Sequence, residues 1–158
     1  MSTHVFAGRA TVTVTRESGE LAWTRYLVPV ARALFAAIFV LAGPGHFKSA
    51  TVAQAAQMGV PFASLLVPAS GVISMIGGLS VLFGFHARAG AVLLTLFLVP
   101  VTFAMHAFWS VADPQAAQVQ SVMFFKNLAL VGASMLIVHF GAGPFSLDAQ
   151  RERSGRAS

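Results

Sequence analysis

Four long apolar windows, each about as long as a bilayer is thick, constrain this chain more than any other feature. They cover residues 26–43, 62–85, 89–108 and 122–140. A transmembrane helix needs about 20 such residues. Backbone groups inside lipid must be satisfied within the segment, so windows of this length are helices. The composition agrees. Only 9% of the 158 residues are charged and 56% are hydrophobic, with mean hydropathy +0.76, whereas soluble domains carry about 25% charged residues. The sequence predicts an all-α integral membrane four-helix bundle, multi-pass, in a bacterial cytoplasmic (inner) membrane.

Turn chemistry separates the windows. Gly43, Pro44 and Gly45 end the first and Pro61 opens the second. A short turn joins Phe85 to Ala89, Asp113 and Pro114 break the next connection, and Gly141, Gly143 and Pro144 close the fourth window. Pro68 and Pro100 lie inside spans, where each removes one backbone donor. With four spans, both tails and the 85–89 turn share one side, which holds Arg9, Arg16, Arg25, Arg88, Arg151, Arg153 and Arg156. The other side has Lys48 and, at the head of the fourth span, Lys126. The positive-inside rule puts both termini in the cytoplasm. Residues 1–25 form an N-terminal tail too polar for a signal peptide, 26–148 the membrane domain, and 149–158 a second tail; both tails read as disordered. Residues 49–60 read as a short interfacial helix. The net charge of +5 resides largely in the tails rather than on a folded basic face, so nucleic acid is not an expected partner. The lipid bilayer is, together with a protein partner or a second copy of the chain.

Ionisable groups inside spans are costly and are usually paired or functional. Arg32 sits about six residues into the first span, where it either snorkels to the inner headgroups or anchors a polar cluster with Thr95, Ser134 and the deeper Ser74. The outer half is richer. Thr102, His106 and Trp109 follow an i, i+4, i+7 pattern that puts them on one helix face. Lys126 and Asn127 come about one turn below the same boundary on the antiparallel fourth span, and Lys48 reaches this level from the first. These six residues make either a pocket for a carbonyl or anionic ligand or an interfacial belt. Ser70, Ser74, Gly77 and Gly78 form a small-residue stripe that reads as helix packing.

There are no cysteines, which excludes disulfides and thiolate chemistry in this chain. His46 and His106 lie on the outer side and His86 and His139 on the inner, a pattern that raises haem. Two of the four fall in turns that fix axial geometry poorly, so haem is not expected. No carboxylate accompanies these histidines at ligand spacing, and no metal is expected. No nucleophile triad or phosphate loop is present, and no catalytic residue is assigned.

From about Val30 to Asp148 the chain resembles the DoxX family of membrane proteins. The resemblance rests on Val101-Thr102-Phe103, His106-Ala107-Phe108-Trp109, Phe125-Lys126-Asn127-Leu128-Ala129 and the ending Gly141-Ala142-Gly143-Pro144-Phe145-Ser146-Leu147-Asp148. Arg32, Lys48, Gly59-Val60-Pro61, Gly77-Gly78-Leu79 and Gly84 ahead of Arg88 support it. One departure is Ser74, where that family often has a glutamate able to pair with Arg32. The resemblance implies a quinone-interacting subunit of a membrane oxidoreductase, with non-covalent quinone as cofactor. His106, Lys126 and Asn127 would then bond a quinone carbonyl, and Lys48 and Lys126 would stabilise negative charge. The alternative is a non-catalytic membrane anchor or scaffold for a soluble redox partner. Small-molecule transport is a third reading.

Overall fold

The structure is a computed structural model that describes residues 23–157. The expected N-terminal tail lies largely outside the described residues. All regular structure among them is helical: α1 (Leu27–Ala42), α2 (Ser49–Gln57), α3 (Ala63–Phe83), α4 (Ala87–Met105), α5 (Pro114–Phe140) and α6 (Leu147–Ala157). Short 3-10 turns extend α1 at both ends and follow α4, so the spanning units run Thr24–Phe47, Ala63–Phe83, Ala87–Ser110 and Pro114–Phe140. The four spans expected from the apolar windows are present, and α2 is the short helix read at residues 49–60.

Two segments differ from the sequence reading. Span four starts at Pro114 rather than near Val122. The Asp113 carboxylate accepts from Ala116 N (2.7 Å) and Pro114 fills the first helical position, so capping begins the helix two turns before the apolar run. Residues 149–157 are helical, where the sequence suggested a disordered tail. Ser146 Oγ accepts from Ala149 N (3.1 Å) and Asp148 N donates to Gly84 O (2.8 Å), which docks the start of α6 onto the α3–α4 turn. Its polar composition hid a helix that is held by its first turn.

Consecutive spans do most of the packing, α1 on α3, α3 on α4 and α4 on α5. The core is thin. Phe39, Val81, Ala91, Leu94, Leu98 and Val131 are buried together. Leu34, Leu41, Leu65, Leu96 and Phe140 are each about two-thirds exposed or more. So much outward apolar surface is stable only in lipid. The small-residue stripe packs as the sequence suggested. A Cβ on Gly77 would stand 2.8 Å from Leu94 Cγ and 3.1 Å from Gly90 O, so the missing side chain lets α3 and α4 approach closely.

Candidate functional site

The six outer residues are not linked through their side chains by hydrogen bonds among the described residues. Helix α4 stops at Met105, and His106 follows with a non-helical backbone, so the expected shared face is not continued. Thr102 is buried and its hydroxyl donates to Leu98 O (2.6 Å). His106 Nδ1 bonds Gln120 Oε1 (2.7 Å), and because the amide oxygen only accepts, Nδ1 carries the proton. Trp109 is 60% exposed and packs edge-on against Phe108 and Phe124. Lys126 is exposed and lies 12 residues into α5, roughly 18 Å along the axis. Its neighbour Asn127 is buried without a side-chain hydrogen bond among the described residues. Lys48 is exposed at the start of α2. Among the described residues the one hydrogen bond that joins two of the six is between backbones, from His106 N to Thr102 O (3.1 Å); none involves their side chains.

At the end of the bundle that carries the α3–α4 turn, Arg32 is buried and reaches the loop between α5 and α6. Its Nη1 donates to Ala142 O (2.8 Å) and its Nη2 to Phe145 O (2.9 Å), while Nε has no partner among the described residues. Thr95 and Ser134 bond carbonyls of their own helices, Ala91 O (2.9 Å) and Leu130 O (2.8 Å). Ser74 donates to Phe39 O across the α1–α3 contact (3.3 Å). The arginine and the three hydroxyls therefore serve separate contacts. What Arg32 finds instead of a glutamate is a pair of backbone carbonyls more than a hundred residues away.

The opposite end of the bundle does contain an apolar cavity, of about 320 Å³, between α2, α3 and α4. That falls within the roughly 300–1,000 Å³ of small-molecule sites. Val67, Ile73, Phe97, Val101 and Met105 supply its wall, and the lipid-exposed Leu66 and Leu96 stand at its rim. Its polar element is His46, whose Nδ1 lies 2.8 Å from Ser70 Oγ. Ser70 also donates to Val67 O at 2.7 Å. With the single hydroxyl proton directed there, His46 Nδ1–H is the donor to Ser70, and Nε2 keeps a lone pair. The His46 ring rests on Phe97 with centroids 5.9 Å apart. Gly71 makes this possible, since a Cβ there would stand 2.6 Å from His46 Cβ. Thr51, also on the wall, is occupied by Gly45 O (2.9 Å).

Sequence reasoning placed His46 in a turn and Ser70 in a packing stripe, and missed their pairing. The available signals were the Pro44-Gly45-His46 turn and Pro100 opposite it, neither specific. The other histidines go elsewhere: His106 to Gln120, His86 Nε2 to Arg151 Nη1 (3.1 Å), and His139 against Phe140. Among the described residues no three His, Asp or Glu side chains cluster as a metal site would require.

The profile of the SURF4 family matches residues 56–153, which spans α3, α4, α5 and most of α6. The chain belongs to the SURF4 family. It is 33% identical to the inner membrane protein YqjF of Escherichia coli over 123 residues, 77% of this chain and 88% of that protein. It is 27% identical to the inner membrane protein YphA of the same organism over 124 residues, with the same coverage. A match of 31% over 84 residues to the Surfeit locus protein 4 homolog of Schizosaccharomyces pombe covers 51% of this chain and 27% of that protein. No solved structure matches. These relationships overturn the DoxX resemblance and, with it, the quinone-dependent oxidoreductase reading and its redox-scaffold alternative. The residues that carried the resemblance were paired glycines, basic residues at span ends and aromatic residues at the interface. Bilayer physics selects these in many helical membrane proteins, so they do not separate one family from another. As a SURF4-family chain with four spans, it is a multi-pass inner-membrane protein.

Proposed function

We propose that this SURF4-family chain is a membrane receptor for a slender lipid-like molecule, a long-chain alcohol or acid, held in the outer-leaflet cavity with its polar end on His46. The observation that carries this reading is the paired His46 and Ser70 side chains in a wall that is apolar apart from them and Thr51, whose hydroxyl is taken by Gly45 O, and that opens at Leu66 and Leu96. Lipid tails are as apolar as this wall, so moving an acyl chain from bilayer to cavity gains little from the hydrophobic effect. Selection among lipids therefore falls on shape and on the polar end. The Nε2 lone pair accepts from an alcohol, and a protonated ring donates to a carboxylate. A hydrogen bond in this setting contributes about 1–2 kcal/mol, roughly tenfold in occupancy. A protein partner or second copy, expected from the sequence, belongs to the same reading. Phe103, Trp109 and Phe125 are each more than half exposed and supply an apolar contact face.

The test is photolabelling of the reconstituted chain with a diazirine-bearing long-chain alcohol, followed by peptide mapping. Labels are expected on the walls contributed by α3 and α4. They should fall about tenfold in His46→Phe and disappear in Ala104→Trp, which fills the cavity. Equal labelling of wild type and Ala104→Trp overturns the reading.

A further inference from the structure

The cytoplasmic side carries a second, separate feature. Two cavities meet at Arg88, in the first turn of α4. One is a polar cleft of about 690 Å³ under α6, lined by Arg88, Gly141, Asp148, Arg151 and Glu152 among others. The other is a largely apolar groove of about 450 Å³ along the α4–α5 surface, lined by Val92, Leu96, Met135 and Val138, with Thr95 and His139 also on its wall. A polar compartment at the membrane surface that continues into an apolar groove has the outline of a phospholipid.

The charges in the cleft sharpen this. Asp148 is occupied: Oδ1 accepts from His86 N (2.8 Å) and Oδ2 accepts from Ala87 N (3.0 Å). Arg151 is occupied by His86 Nε2 and by the face of Phe85, 4.5 Å from its centroid. Two ionic groups of the lining have no partner among the described residues, Arg88 and Glu152. Arg88 offers five N–H donors at the junction with the groove, the depth of a lipid phosphate. The guanidinium lies against Gly141, where an added Cβ would stand 3.2 Å from Nε. Glu152 sits on α6, in the wall of the polar cleft and not of the groove, and it also lines a neighbouring cavity with Arg153 and Arg156. A cation next to the apolar groove and an anion in the headgroup compartment match a zwitterionic head with its phosphate near the tails and an ammonium beyond.

We propose that this site binds an aminophospholipid of the cytoplasmic leaflet, its phosphate on Arg88, its primary ammonium on Glu152 and one acyl chain between α4 and α5. A primary ammonium donates hydrogen bonds to a carboxylate; a choline head lacks N–H donors and a glycerol head lacks the charge. The site uses neither His46 nor Ser70, and its lining shares only Leu96 with the cavity that holds them.

The experiment is native mass spectrometry of the full chain from nanodiscs containing equal phosphatidylethanolamine, phosphatidylglycerol and phosphatidylcholine. Phosphatidylethanolamine is the expected retained lipid. Arg88→Gln should lower retention of all three by about tenfold, the loss of one charge-assisted contact. Glu152→Gln should remove the preference among them, and Val92→Trp, which fills the groove without touching the cleft, should lower retention while both charges remain. Each variant is compared at matched helicity and elution volume. Equal retention in wild type and Arg88→Gln, or no preference for the ethanolamine head in wild type, overturns the proposal. So does full displacement by soluble glycerophosphoethanolamine, which would identify a headgroup site without a lipid tail.

Discussion

Arg32 and Ala142 stand 110 positions apart in the chain and are joined by a 2.8 Å hydrogen bond from Nη1 to the carbonyl oxygen. Together with Nη2 on Phe145 O, this bond ties the first span to the loop that follows the last. Tyr26 stacks on Phe145 from the same end of α1, with centroids 5.4 Å apart. This end of the bundle is thus closed by a clasp whose acceptors are backbone groups of a glycine-containing loop.

Breaking that clasp is expected to be costly. Arg32→Leu leaves two carbonyls without donors, and hydrogen bonds to charged groups contribute about 1.5–3 kcal/mol each. Gly84→Ala should act on the same contact from the other side. Gly84 has φ +62°, and a Cβ there would collide with Arg32 Nη1 and Ser146 Cβ. Thermal unfolding in detergent, followed by size exclusion, should show both variants well below wild type. The double variant should be less destabilised than the sum of the two, because each removes the same bonds.

The two aspartate caps should differ. Asp148 is half-buried and caps α4 from another helix through two backbone N–H groups, so Asp148→Ala is expected to cost about 1–2 kcal/mol and to loosen α6 as well. Asp113 is exposed and caps its own helix, so Asp113→Ala should cost about 0.5–1 kcal/mol. Hydrogen exchange separates them. Faster exchange confined to the first turns of α5 is expected for Asp113→Ala; for Asp148→Ala it should spread over the start of α4 and all of α6.

Leu94 and Gly77 form a size-matched pair at the α3–α4 crossing. Leu94 is fully buried. In soluble cores Leu→Ala costs roughly 2–5 kcal/mol, but lipid supplies little transfer free energy, so Leu94→Ala should fall at or below the low end of that range. Gly77→Ala forces the leucine aside and should destabilise on its own. In the double variant the new methyl occupies space that the leucine vacated, and stability should partly recover. Additive losses in the double variant would contradict this packing account.

The fold was legible because its determinants are local. Window length and turn residues give the span number without knowledge of any contact, and α5 starts before its apolar window because the Asp113-Pro114 cap, not hydropathy, begins the helix. The candidate site was not legible in this way. Depth along a helix can be counted from sequence, but azimuth cannot. Thr102, His106 and Trp109 were aligned on an unbroken helix that ends at Met105, while His46 and Ser70, in two different readings, face one another.

By itself the sequence determined that this chain is a four-span helical protein of the inner membrane, because a bilayer imposes one periodicity and one length on any backbone that crosses it. Only the tertiary structure decided that Arg32 is held by the carbonyls of Ala142 and Phe145, that His46 meets Ser70, and that Arg88 stands where a polar cleft joins an apolar groove. Those pairings depend on rotation of each helix about its axis, set by which small residues let neighbours approach, and lipid-facing surfaces of uniform polarity leave little trace of that rotation in the sequence.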